Sequence, residues 1–140
     1  MPISVVMAQD DVMQHMVKGS HGSTFGGNPL ACAVAIESLN VLFDENLIDN
    51  SLHMGEYFRE SVLGLNHPSV KEVRGRGLLN AIEFHEDKSE KKFAYGMQEA
   101  GVLCKDTHDR TVRMSPPLTI KKEHIDHCVE TMEKVMNEKL

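Results

Sequence analysis

The sequence HGSTFGGNP at residues 21–29 is the stretch around which the rest of the chain is arranged. Three glycines within six residues let main-chain N–H groups approach an anion closely, and the hydroxyls of Ser23 and Thr24 suit a phosphate or a carboxylate. Asn28 is a typical helix N-cap and Pro29 a typical first helical residue, so a helix dipole points its positive end at the loop. The pattern predicts an anion-binding loop, and a glycine-rich turn between two elements is the alternative.

Composition is that of an ordinary globular domain. The 140 residues are 41% hydrophobic and 26% charged, which suffices for a buried core. A net charge of −6 argues against binding to nucleic acids or anionic membranes, and no apolar run approaches the roughly 20 residues of a membrane-spanning helix. The three cysteines Cys32, Cys104 and Cys128 are widely spaced, which indicates reduced thiols and therefore the cytoplasm or the mitochondrial matrix.

Hydrophobic periodicity predicts an α+β fold in which three or four strands are covered by helices on one face. The helices are expected to begin at Pro29, near Ile48, at Ser89 and near Glu123. Their predicted buried faces are Cys32, Ile36, Leu39 and Phe43 in the first, Ile48, Leu52, Gly55, Phe58, Val62 and Leu65 in the second, Phe93, Ala94, Met97 and Ala100 in the third, and Ile125, Cys128, Val129, Met132, Val135 and Met136 in the last. One candidate strand lies at the start of the chain, at residues 3–8, and the others cover residues 70–73, 78–84, 102–104 and 111–114.

Arg113 is the most distinctive charged residue, because it lies between Val112 and Met114 in an otherwise apolar strand. The following Ser-Pro-Pro sequence at residues 115–117 ends the strand. Alternation places the Arg113 side chain on the face opposite its apolar neighbours, where a guanidinium at a strand end can hold a carboxylate with two hydrogen bonds. A surface arginine or a structural ion pair is the alternative.

Two further patterns have simpler explanations. The sequence Arg-Gly-Arg-Gly at residues 74–77 is compatible with a second anion site, but its glycines more simply allow a tight bend into the next strand. His124, His127 and Cys128 have the spacing of metal ligands on a helix, yet Cys128 belongs to the apolar face and no second ligand cluster accompanies them. We therefore expect no metal site, and no nucleophile motif is present.

With these residues identified, the chain resembles the C-terminal part of the ornithine aminotransferases, which are class III, fold type I pyridoxal-phosphate enzymes. The Gly-Asn-Pro sequence at residues 27–29 and the Arg-x-x-Pro-Pro-Leu sequence at residues 113–118 are shared by class III aminotransferases, and the Lys-x-Thr-His sequence at residues 105–108 favours the ornithine branch. The resemblance also covers residues 2–6, 10–13, 21–32 and 73–81, and so extends over essentially the whole chain.

The resemblance implies a remnant of the large cofactor-binding domain at residues 1–28 and the C-terminal small domain at residues 29–140. It implies that Ser23 and Thr24 bind the phosphate of pyridoxal 5'-phosphate held by the neighbouring subunit of a homodimer. It also implies that Arg113 holds the α-carboxylate of glutamate or 2-oxoglutarate. Phe25 stands where the family commonly has a tyrosine.

The family reaction moves the δ-amino group of ornithine to 2-oxoglutarate and gives glutamate semialdehyde and glutamate. The lysine that forms a Schiff base with the cofactor lies upstream of the segment matched at Pro2, so we expect no catalytic residue in these 140 residues and no activity from them alone. Another class III aminotransferase, acting on acetylornithine or 4-aminobutyrate, is one alternative. A non-catalytic, truncated module for dimerisation or anion binding is the other.

In the 140 residues alone, residues 3–8 and the helix from Pro29 would not be covered by the large domain that the resemblance implies. We therefore expect an exposed apolar surface there, and self-association as its consequence.

Overall fold

A computed structural model describes residues 2–87, 89–108 and 110–140. Close contacts divide the chain into a first unit, Met1–Glu45, and a second unit, Asn46–Leu140. The first unit contains α1 (Asp10–Met13) and α2 (Pro29–Asp44). The second contains α3 (Leu47–Gly64), β1 (Val70–Arg76), β2 (Leu79–Phe84), α4 (Ser89–Glu99), β3 (Lys105–Asp106), β4 (Thr111–Met114) and α5 (Lys122–Lys139).

The second unit is built on a four-stranded antiparallel sheet with the strand order β1-β2-β4-β3. Alternation along the strands gives the sheet an inner and an outer face. Ile82 and Val112 are paired on the inner face and are fully buried, whereas Ala81 and Arg113 are paired on the outer face. Helices α3 and α4 contact the sheet, α5 contacts both of these helices, and residues of all three helices share one core with the inner face. The predicted α+β fold with helices on one side is confirmed.

The core of the second unit lies between this inner face and the helices. Phe84 of β2 and Phe93 of α4 are fully buried, with ring centroids 5.2 Å apart. The predicted apolar face of α5 is confirmed, since Cys128 is half-buried and its other members are buried. Burial of each large apolar side chain stabilises the fold by roughly 1.5–3 kcal/mol.

Helix α3 presents a different stripe to the core from the predicted one. Phe58 and Val62 are buried as expected, but Ile48 and Leu52 are exposed. The helix is oriented by Gly55, which packs against the backbone of Gly77 so closely that no side chain fits between them. Gly77 has a φ of +54° in the two-residue turn that joins β1 to β2. The bend interpretation of residues 74–77 is thereby confirmed.

The strand predicted at residues 102–104 is wrong, because the backbone there closes the end of α4 instead. Gly101 has a φ of +86°, and the N–H groups of Gly101 and Val102 donate to the carbonyls of Gln98 and Met97 at 3.0 and 2.8 Å. This is a Schellman motif, which satisfies the last carbonyls of a helix. The strand begins later, at Lys105, and pairs with β4 in the antiparallel direction.

In the first unit, the strand predicted at residues 3–8 is also wrong. Residues 2–9 belong to no helix or strand, since a strand needs a neighbour that pairs with its backbone. Helix α2 begins at Pro29 as predicted, but Ala31 is its only buried residue. The contact boundary falls after Glu45, beyond α2, whereas the assignment of residues 1–28 and 29–140 to two domains of a larger enzyme stays a prediction.

Candidate functional site

The loop before α2 is shaped by two short turns and a helix cap. The N–H of Gly26 donates to the carbonyl of Ser23 at 3.4 Å, and the N–H of Asn28 donates to the carbonyl of Phe25 at the same distance. The side chain of Asn28 accepts a hydrogen bond from the N–H of Ala31 at 2.9 Å, which confirms the predicted N-cap. The local sequence thus fixes the chain direction as it enters α2.

Glycine is required at one position of the stretch at residues 21–29. Gly27 has a φ of +70°, a conformation that other residues rarely adopt. Side chains added at Gly22 or Gly27 would meet no heavy atom within 4 Å, so the loop is open on these sides. Ser23 and Thr24 are exposed, and their hydroxyls are available to an anion. The exposed hydroxyls and the open backbone of the loop therefore fit a phosphate group.

Arg113 lies at the centre of a row that crosses the outer face of the sheet. Its partner on β2 is Ala81, whose own partner on β1 is Arg74, and its partner on β3 is Lys105. Val112 and Met114 on either side are buried, whereas the Arg113 side chain is exposed as the alternation predicted. Among the residues that the structure describes, no carboxylate forms an ion pair with Arg113.

Arg74 differs from Arg113 because its guanidinium forms ion pairs with two carboxylates. Its guanidinium donates to Glu83 at 2.8 Å and to Glu72 at 2.9 Å, and Lys71 also contacts Glu83 at 2.6 Å. The hydrogen bonds from Lys71 and Arg74 lower the pKa of Glu83, and the hydrogen bond to Glu83 raises the pKa of Arg74. Arg74 therefore supports the sheet surface, and a second anion site gains no support from it.

The side chains of Arg59 and Asn80 also hold the turn after β1, and the sequence did not predict these contacts. Arg59 of α3 donates to the carbonyl of Gly77 at 3.1 Å and to Oδ1 of Asn80 at 2.8 Å. Asn80 is buried on the inner face, and its Nδ2 has no partner among the described residues. An asparagine on the apolar face of a predicted strand was the available signal, but its partner lies 21 residues away on another element.

The cysteines and histidines form no reactive centre in the described residues. All three cysteines are free thiols. Burial raises the pKa of Cys104 and of Cys128 to about 11, so both stay protonated at neutral pH. Within the described ranges, no group of three or more His, Cys, Asp or Glu side chains is arranged to hold a metal ion. Ser23 and Thr24 belong to the first unit and Arg113 to the second, so each candidate site is described within its own unit.

Comparisons with known proteins identify the family to which the chain is similar. The family model for class-III aminotransferases matches residues 1–136. An ornithine aminotransferase of Staphylococcus epidermidis is 50% identical over 134 residues, which are 96% of this chain and 33% of that protein. Ornithine aminotransferase 2 of Staphylococcus aureus is 49% identical with the same coverage. The chain thus spans about a third of the length of the curated relatives it matches.

Solved structures show the same relationship. The ornithine δ-aminotransferase of Plasmodium falciparum superposes with a TM-score of 0.87 at 40% identity, covering 95% of this chain and 35% of that one. The acetylornithine aminotransferase of Elizabethkingia anophelis gives a TM-score of 0.84 at 39% identity, with coverage of 94% and 36%. In the described part of the chain, no helix has the length and apolar character needed to span a membrane. The chain belongs to the class III aminotransferase family.

Proposed function

We propose that this chain supplies the C-terminal third of a pyridoxal-phosphate aminotransferase that moves the δ-amino group of ornithine to 2-oxoglutarate. The observation that carries the proposal is the exposed Arg113, which has no carboxylate partner among the described residues, in a chain half identical to ornithine aminotransferases. The free thiols are consistent with the cytoplasm or the mitochondrial matrix.

In this proposal, the residues of the chain bind and orient the substrate carboxylate and the cofactor phosphate. Arg113 holds the carboxylate of glutamate or 2-oxoglutarate with two charge-assisted hydrogen bonds, which are stronger and more directional than neutral ones. Ser23 and Thr24 hold a phosphate of a cofactor bound by the neighbouring subunit of a homodimer. When bound, pyridoxal phosphate supplies the electron sink for amino transfer. We expect the 140 residues alone to be inactive, since the catalytic lysine is expected in a part of the enzyme outside them.

The test joins the upstream two-thirds of the Staphylococcus epidermidis ornithine aminotransferase to this chain. We expect the chimaera to form glutamate from ornithine and 2-oxoglutarate, and the 140 residues alone to form none. Arg113→Ala should raise the KM for 2-oxoglutarate by roughly tenfold or more, since a hydrogen bond to a charged group contributes about 1.5–3 kcal/mol. Arg76→Ala, at an exposed arginine near the turn of the same sheet, is the matched control. A cofactor-loaded chimaera that accepts 4-aminobutyrate or acetylornithine but not ornithine would contradict the substrate assignment.

A second role, association with another aminotransferase subunit, is favoured by the first unit. Leu30, Ile36, Leu39 and Phe43 of α2 are all more than half exposed. We propose that the remaining two-thirds of the family fold cover them. Sedimentation of the chain mixed with the intact relative should show a complex, and Ile36→Lys combined with Phe43→Lys should weaken it. Leu103→Lys, at an exposed leucine of the second unit, should not. A chain that sediments as a monomer, alone and in the mixture, would refute this role.

A further inference from the structure

We propose that Lys105 is a second binding residue for the carboxylate at Arg113, an inference that rests on the carboxylate role proposed above for Arg113. The two residues are directly opposite partners of the antiparallel pair formed by β3 and β4. Opposite residues on one face of a sheet have Cβ atoms about 4.5–5.5 Å apart. Both side chains are exposed, so an ammonium and a guanidinium can reach one small anion above the sheet.

On the side of Arg113 away from Lys105, the outer face has space, and the paired residues Ala81 and Arg74 supply no counter-ion. Ala81, the partner of Arg113 on β2, adds only a methyl group to this face. Glu83, two residues along β2 on the same face, is already held by Lys71 and Arg74 at 2.6 and 2.8 Å. The Glu83 carboxylate is therefore already paired with two other cations.

A pair of like charges opposite each other on neighbouring strands is destabilising. Lys105 contacts Oδ1 of its sequence neighbour Asp106 at 2.9 Å, but an exposed ion pair of this kind contributes little. Lys105 can therefore turn towards an incoming anion at small cost. A carboxylate bound between Lys105 and Arg113 would relieve their repulsion, with Arg113 fixing its orientation and Lys105 adding a point charge. The ligand class is a small carboxylate of the 2-oxo acid type.

The test is an NMR titration of the 140-residue chain with 2-oxoglutarate, up to about 50 mM because a few exposed hydrogen bonds give millimolar affinity. We expect saturable shifts at the Arg113 side-chain N–H and the Lys105 amide. Lys105→Gln should weaken binding about 2–5-fold, as removal of one exposed charge contact does. Lys105→Arg should restore the affinity. Lys134→Gln makes the same charge change on an exposed part of α5 and should leave it unchanged.

The outcomes separate this inference from the proposed function. If Arg113→Gln abolishes binding while Lys105→Gln behaves like Lys134→Gln, Lys105 has no role and the carboxylate site at Arg113 stands. If the unaltered chain shows no saturable shift at Arg113, or if Arg113→Gln binds equally well, the proposed carboxylate site itself is wrong. A well-dispersed spectrum of each variant confirms that the fold is retained, so a loss of affinity reports on the site.

Discussion

Helices α2 and α5 differ in a way that separates the two units of the chain. Helix α2 is the more apolar, yet of its 16 residues only Ala31 is buried. Helix α5 has 18 residues and a mostly charged outer surface, and it buries six residues, five of which belong to the core of the second unit. Apolar content alone therefore does not determine which helix is buried.

The difference follows from how the apolar residues are distributed. In α5 they repeat at intervals of three and four and form one stripe, which a single packed surface can cover. In α2 they surround most of the helix, a distribution typical of helices that are covered on several sides. The second unit forms its core from its own residues. The apolar side chains of α2 would be buried only if another surface covered them.

The strongest test of this difference between the two units is the change in the free energy of unfolding when an aromatic ring is removed from each. Phe93→Ala should lower the free energy of unfolding by about 3–5 kcal/mol, because Phe93 is fully buried against Phe84. Phe43→Ala, at a ring of α2 that is 69% exposed, should change it by no more than about 0.5 kcal/mol. Urea unfolding at low protein concentration measures both. Equal costs would show that the face of α2 is buried in the chain's own folded state.

A smaller effect tests how closely α3 approaches the turn after β1. Gly55→Ala should cost about 1–3 kcal/mol, because the added Cβ would overlap the carbonyl group of Gly77. Gly64→Ala, in the last turn of the same helix, meets no atom within 4 Å and should stabilise the helix by about 0.5–1 kcal/mol. The two midpoints in urea should therefore move in opposite directions. If both variants are stabilised, α3 lies farther from Gly77 than the structure shows.

Periodicity predicted the second unit well because its elements carry their own signals. The stripe of α5 is a local pattern and is confirmed, as is the cap at Asn28 in the first unit. The strand at residues 3–8 failed because β-branched composition does not supply a pairing partner. Likewise, Ile48 and Leu52 were assigned inward because the contact that orients α3, Gly55 against Gly77, joins residues far apart in sequence.

The candidate site was predictable to the extent that it depends on single elements. The exposure of Arg113 followed from alternation along β4, and the open loop at Ser23 and Thr24 followed from its glycines. The position of Lys105 opposite Arg113 did not follow, because the sequence placed the preceding strand at residues 102–104. Register between two strands depends on where each begins, and the helix-ending hydrogen bond at Val102 shifted that point.

The smallest effect concerns the outer face of the sheet, where Glu83 accepts from Lys71 and Arg74. These bonds lower its pKa in the folded state, so Glu83 binds a proton less readily there than in the unfolded chain. Its stabilisation is therefore present above the unfolded pKa of about 4.3 and is lost as the pH falls through the lower folded value. We expect Glu83→Gln to lower the urea midpoint slightly at pH 7, and the difference to disappear near pH 3.

Glu133→Gln provides the control for this prediction, because it removes an exposed carboxylate of α5 that has no ion pair among the described residues. It makes the same change in net charge, so any general effect of charge on stability appears in both variants. If the two variants have the same pH dependence, the contacts of Glu83 contribute nothing measurable. The contacts on the outer face would then contribute as little to stability as the exposed side chains of α2. Only the buried inner face of the sheet would make the second unit more stable than the first.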